Sequence, residues 1–223
     1  MAEQAATAAL LRLMTWLSPA FPVGAFSYSG GLERAVSDGQ VSNAASLSSW
    51  LATLMANGAI WNDAVLLAEA YRSLADGPRL ADVMELAEAL AGSAERHKET
   101  MLQGEAFLMA ASSWPHGALE RLSGSAAYPV AVGAVAGAHD VGLEAALTAY
   151  LHSVASNLVS VAIRCGVIGQ RDGVATLAGL EDAILHLSGK ATLSTLDDLG
   201  TATVLADIAS LRHETLQTRL FRS

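Results

Sequence analysis

Residue types that could do chemistry occur in this chain as fragments of three familiar arrangements. Phe26-Ser27-Tyr28-Ser29-Gly30-Gly31 has the serine and glycine content of a nucleophile elbow, the strained strand-to-helix turn that aims a serine at an acyl carbon. The spacing defeats it: Phe26 or Ser27 stands where G-x-S-x-G needs glycine, and no strand pattern precedes it. Ser188-Gly189-Lys190 resembles the end of a phosphate loop, but Ile184 replaces the first glycine and Ala191 the hydroxyl that would meet Mg²⁺. The histidines, His97, His116, His139, His152, His186 and His213, form no i, i+4 pair and no E-x-x-H motif, and Cys165 stands alone. Neither a catalytic residue, a cofactor site nor a self-contained metal site is expected, although an interface between two chains could assemble a metal site.

The C-terminus holds the remaining candidate. Residues 212–223, Arg-His-Glu-Thr-Leu-Gln-Thr-Arg-Leu-Phe-Arg-Ser, carry three of the thirteen basic side chains and one acidic one. Basic groups suit the C-terminal end of a helix by ~0.3–1 kcal/mol each, so a plain helix end is one reading. Leu220-Phe221 at a chain end would leave apolar surface in water, however. Arg and Phe together are common anchors of protein interfaces. The second reading is a tail over about 210–223 that orders when it docks on a partner.

These residues need elements to hold them. Residues 18–36, SPAFPVGAFSYSGGLERAV, cannot open as a helix, because Pro19 and Pro22 remove donors and restrict their neighbours. Phe21, Val23, Phe26 and Tyr28 crowd into this stretch. It reads as an ordered loop pinned to an apolar surface, either as core packing between helices or as a functional loop. Ser29 can cap a short helix over 30–37, with Glu33 near the positive end of its dipole.

Elsewhere Ala and Leu recur at helical spacing and alternating strand patterns are nearly absent. Helices are predicted over 8–17, from a cap at Ser42 or Asn43 through Met55, over 60–74, 79–92 and 94–113, from Pro129 to about 138, over 142–166, 173–187 and 202–217, with 194–200 as a polar connection. The 142–166 helix is the clearest. Leu143, Leu147, Tyr150, Leu151, Val154, Leu158, Val161 and Cys165 line one side, and Val159, Ile163, Ala145 and Ala149 another. A helix apolar on two sides belongs in the middle of a bundle. Between them run Ser153, Asn157, Ser160 and Arg164, which form either an internal polar network or a contact strip for a partner. The same seam could line a polar pocket, which makes a helical small-ligand protein or enzyme the alternative reading. The expectation is all-α: one domain over 1–223, a bundle of about ten helices around the central buried helix.

Composition narrows the function. Hydrophobic residues make up 52% of the chain and charged ones 16%, so disorder is excluded and oligomers or permanent partners are favoured. A formal net charge of −9 disfavours nucleic acid as a partner. No run of about 18 uninterrupted apolar residues suggests a membrane span, and the start lacks the features of a secretory leader. A single cysteine fits a reducing cytoplasm.

Three separated blocks carry a family resemblance. Ser18-Pro19, Pro22-Val23-Gly24, Phe26-Ser27-Tyr28-Ser29 and Gly31-Leu32-Glu33 resemble the N-terminal signature of the urease accessory protein family UreF. Tyr150-Leu151, Ser156-Asn157-Leu158-Val159, Arg164, and Gly169-Gln170 with Gly173 resemble its central helix and the turn after it. Ala206 to Thr215, followed by Arg219-Leu220-Phe221-Arg222-Ser223, resembles its C-terminal signature. The chain departs from the family pattern at Leu216-Gln217, at Val167-Ile168 and at Val174. The resemblance implies an all-helical, non-catalytic scaffold that dimerises. It would bridge the accessory subunit UreD/UreH and the GTPase UreG, deliver nickel to apo-urease and control GTP hydrolysis by UreG. It places partner contacts at Arg212, His213, Glu214, Arg219, Leu220, Phe221, Arg222 and Ser223, and makes Tyr28, Glu33 and Arg164 candidates for structural support or UreG contact.

Overall fold

The computed structural model describes residues 2–122 and 125–223. Among them are eleven α-helices and no strand: α1 Ala2–Trp16, α2 Leu32–Ser37, α3 Ala44–Asn57, α4 Ala59–Ser73, α5 Gly77–Ala89, α6 Ala94–Ala111, α7 Tyr128–Ala138, α8 Leu143–Arg164, α9 Gln170–Gly179, α10 Glu181–Thr192 and α11 Val204–His213. Three short 3-10 turns, Ala25–Ser27, Gly117–Leu122 and Leu196–Asp198, lie between them. The all-α class read from the periodicity is the class found.

Local chemistry starts the helices where polar side chains can take orphan amides. Asn43 accepts the Ser46 amide at 3.0 Å while Ser46 Oγ accepts the Asn43 amide at 3.1 Å, a reciprocal cap on α3. Asp76 accepts the Arg79 amide at 3.2 Å and Ser93 the Arg96 amide at 3.1 Å. Thus Asp76-Gly77-Pro78, which stops the preceding helix, also opens α5.

Two predicted helices need correction. The helix expected over 173–187 is two helices, parted at the buried Leu180. Gly179 weakens the first, and Glu181 and Asp182 favour a fresh N-terminus through the dipole. The helix expected over 202–217 ends at His213, because the last ten residues are held by other parts of the chain.

The central helix read from periodicity shares the middle of the bundle with a more deeply buried pair, α4 and α7. Ten of the eleven residues of α7 are buried, and it packs most extensively on α4, which is buried from Ile60 to Ala70. Contact between them is backbone-close: a Cβ on Gly133 would lie 2.2 Å from the Leu67 carbonyl oxygen. The helix α8 packs on α4, α7, α9 and α10 but leaves Glu144, His152, Ser160 and Arg164 exposed. By length and composition alone α8 could cross a membrane, yet half of its apolar window is covered by the bundle.

Candidate functional site: the folded-back C-terminal tail

The site begins at a turn that only glycine can make at two successive positions. Gly30 and Gly31 have φ of 56° and 82°, a region that penalises any Cβ. At Gly31 a Cβ would also stand 2.7 Å from the Ser210 amide nitrogen, so this glycine lets α11 lie against the start of α2. The turn aims Ser29 and the first turn of α2, carrying Glu33, at the chain's own end.

Glu33 is the anchor. One carboxylate oxygen accepts the Leu220 amide at 2.7 Å, and the other accepts the Phe221 amide at 3.1 Å and faces His213 Nε2 at 3.0 Å. The opposite ring nitrogen, Nδ1, lies 2.7 Å from Glu95 on α6, and the Arg219 guanidinium donates to the other oxygen of Glu95. His213 is fully buried and Glu33 nearly so. A buried carboxylate is tolerated only when its lone pairs are filled, and here two amides and an imidazole fill them.

The last residues close the strap. The Ser29 amide donates to the Ser223 main-chain oxygen at 2.9 Å, and Ser29 Oγ donates to the same oxygen. Ser223 Oγ donates to Glu99 at 2.9 Å, and the Arg222 amide donates to the Ser27 carbonyl at 2.8 Å. Phe221 is 3% exposed, covered by the chain's own body. Its ring lies 4.1 Å below the Arg164 guanidinium carbon, and Arg164 also donates to the Phe26 carbonyl. Asn157 Nδ2 donates to the Tyr28 carbonyl at 3.3 Å.

Behind the tail lies a charged cluster. Arg96 is paired with Asp63 at 2.5 Å and Glu99 at 3.2 Å, and Tyr150 Oη donates to Asp63 at 3.0 Å. Burial pulls the Arg96 pKa down, but Asp63 and Glu99 outweigh it and hold the guanidinium charged. Burial raises the Glu99 carboxyl, against the pull of Arg96 and Ser223. Burial, then the negative field of Glu33, pushes the Cys165 thiol up to about 11.

The fold gathers the residues singled out from the sequence, but in two populations. Tyr28, Glu33, His213, Phe221 and Ser223 are buried under or within the strap. Arg164, Arg212, Glu214, Arg219, Leu220 and Arg222 face solvent. Some of the exposed side chains still hold the body: Arg212 pairs with Asp38 at 3.2 Å, and Glu214 accepts the Ala94 amide at 3.0 Å.

The polar seam of α8 is largely satisfied within the chain, although its members do not bond to one another. Ser153 Oγ donates to the Tyr150 carbonyl of its own helix at 2.8 Å, Ser160 is exposed, and Asn157 and Arg164 hold loop carbonyls. Sequence reasoning missed Glu95, Glu99, Arg96 and Asp63. Glu95 and Glu99 sit one helical turn apart, which places them on one face, but no local signal joins that face to the chain's end.

Together these contacts define an all-α protein whose polar side chains are spent on organising backbone segments rather than on a reacting centre. Among the described residues no cluster of three or more His, Cys, Asp or Glu is arranged to hold a metal. The UreF family profile matches residues 41–181. The chain is 63% identical over 223 residues, all of both chains, to the urease accessory protein UreF of Rhizobium etli (strain ATCC 51251). It is 64% identical over the full length of the corresponding protein of Rhizobium meliloti and 59% identical to that of Agrobacterium fabrum. The chain belongs to the UreF family, whose members are non-catalytic accessory proteins of urease maturation.

Proposed function

We propose that this protein works in the cytoplasm as one scaffold unit and a homodimer. It joins the UreD/UreH subunit to the GTPase UreG and presents them to apo-urease for nickel insertion, regulating GTP hydrolysis by UreG. The docking element is the tail of about 210–223 together with the helix that leads into it. Nucleic acid and membrane have no part in this reading, and neither nickel nor another cofactor is a resident ligand.

The observation that carries it is the row of apolar side chains in water beside the strap. Val204, Leu205, Ile208 and Leu211 on α11 are 66%, 62%, 43% and 50% exposed, and Leu220 is 63% exposed. Positions 204, 208 and 211 share one helical face. Exposed apolar rows flanked by Arg212, Arg219 and Arg222 have the composition of an interface core with a polar rim. Exposed Leu10, Leu11 and Met14 on α1, with Leu185 on α10, leave further apolar surface, in keeping with a dimer.

Because these side chains bear little of the fold, they can be changed without unfolding it. Ile208→Asp and Leu220→Asp are expected to leave the melting temperature within about 2 °C, since surface changes lie within about ±0.5 kcal/mol. Each should reduce co-purification with UreD/UreH at least tenfold. Recovery equal to wild type in both variants would show that partner docking uses another surface.

A further inference from the structure

The second apolar side of α8 is covered over only half of its length. Toward the C-terminal end Val159 is buried and Ile163 half-buried, with Gly173 of α9 against both. Toward the N-terminal end Ala145 is exposed and Ala149 half-buried. Above them lies an open groove of about 760 Å³ between α1, α8 and α10. Leu10 and Met14 of α1 and Leu185 of α10 line it and stand in water.

The floor of this groove asks for no solvent. Thr148 donates its hydroxyl to the Glu144 carbonyl at 2.8 Å and lies 2.9 Å from Ser188 Oγ, so its polar atom is already satisfied. The titratable groups of the lining are Glu144, Glu181 and His152, and all three are exposed. Glu144, Thr148 and His152 follow one another at i, i+4 spacing and share one helical face. An aliphatic middle with charges in water at its edge is the composition of an interface core and rim.

We infer that this groove is where a second copy of the chain docks, with the two α8 helices antiparallel across a two-fold axis at Thr148. Three observations choose that occupant. The face carries a ridge, Leu10 and Met14, beside a furrow floored by Ala145 and Ala149. One surface thus supplies both halves of a self-complementary joint, as a two-fold interface requires. The charges agree as well. A two-fold axis at Thr148 turns α8 end for end, and residues 144 and 152 each lie about 6 Å along the helix from it. Glu144 of one copy then faces His152 of the other, twice, so acid meets imidazole. For a chain of net charge −9, most other ways of laying two copies face to face oppose like charges. Finally, the chain's own C-terminus, the segment suited to fill a groove, is held on Glu33 instead.

The inference rests on the homodimer reading above and gives it a face. The row proposed for UreD/UreH lies on α11, which packs on α2 and α6, away from the groove of α1, α8 and α10. Pairing and partner docking therefore use separate surfaces and can coexist.

Sedimentation equilibrium of the full-length chain, without partners, tests this. Wild type is expected to dimerise. Ala145→Glu and His152→Glu should each raise the dissociation constant at least about tenfold, because each sets like charges together in the joint. His152→Lys, facing Glu144 of the other copy, should lower it. Ile208→Asp on the α11 row should stay within about twofold of wild type, since distant sites act independently. The altered side chains are exposed, so melting temperatures should hold. A monomeric wild type overturns the homodimer reading and the groove with it. A wild-type dimer that neither Ala145→Glu nor His152→Glu weakens leaves the homodimer reading standing and overturns the groove as its face. His152→Lys and His152→Glu moving the constant in the same direction overturn the antiparallel register at Thr148.

Discussion

The Arg164 guanidinium sits 4.1 Å over the Phe221 ring and donates at the same time to the Phe26 carbonyl. One exposed side chain at the end of α8 therefore clamps the N-terminal loop and the C-terminal tail together. The aromatic face attracts the cation by its quadrupole, worth ~0.5–1 kcal/mol at an exposed site.

A double-mutant cycle on Arg164→Ala and Phe221→Ala should show that coupling. Phe221→Ala alone is expected to cost about 2–3 kcal/mol, since the ring is buried but lies at a chain end. Arg164→Ala should cost about 1 kcal/mol. Urea unfolding should give a coupling of ~0.5–1 kcal/mol; strict additivity would mean that the stacked geometry contributes nothing.

Glu33→Ala would strand the Leu220 and Phe221 amides and His213 in a buried setting. Each unsatisfied group costs about 1–3 kcal/mol, so a loss of about 3 kcal/mol is expected after water reaches part of the opened site. Glu33→Gln keeps an acceptor and should lose less. Chemical denaturation of the two variants checks the order, and a larger loss in Glu33→Gln would contradict the anchoring role.

At Glu99 the pH dependence has a definite sign. Burial raises its folded-state pKa above the ordinary value of 4.5, so between those two values the native state binds more proton than the unfolded chain. Stability from this group is then lost as pH rises through the window. The unfolding free energy of wild type minus that of Glu99→Gln should decline as pH climbs from about 4 toward 7. A difference that grows over this range would show that Arg96 lowers the carboxyl further than burial raises it.

Gly133→Ala tests the contact at the centre of the bundle. Its Cβ would meet a backbone oxygen that cannot swing aside, so α4 and α7 must separate. Overpacking of this kind costs about 1–3 kcal/mol or more. Gly142→Ala, with open space around the added methyl, should stay within about 0.5 kcal/mol of wild type. Thermal unfolding of the pair decides.

Much of this protein was legible in the residues alone. Ala- and Leu-rich periodicity specified helices, and Asn43 and Pro129 marked starts, because capping and proline effects act within a few residues. The signature blocks around Tyr28, Glu33, Arg164 and Phe221 pointed to the positions that converge. What periodicity could not show was that α4 and α7 form the most deeply buried pair beside α8. That pairing depends on small residues such as Gly133 permitting backbone contact, a property of two helices and not of one.

The tail shows the same division. Arg219, Phe221 and Ser223 looked like a free handle because nothing near them in the chain offers a counter-charge. Their partners, Glu33, Glu95, Glu99 and Ser29, lie 124 to 194 residues away. Buried ions and amides must find partners somewhere, and only the packing of α2, α6 and α11 settles where that is.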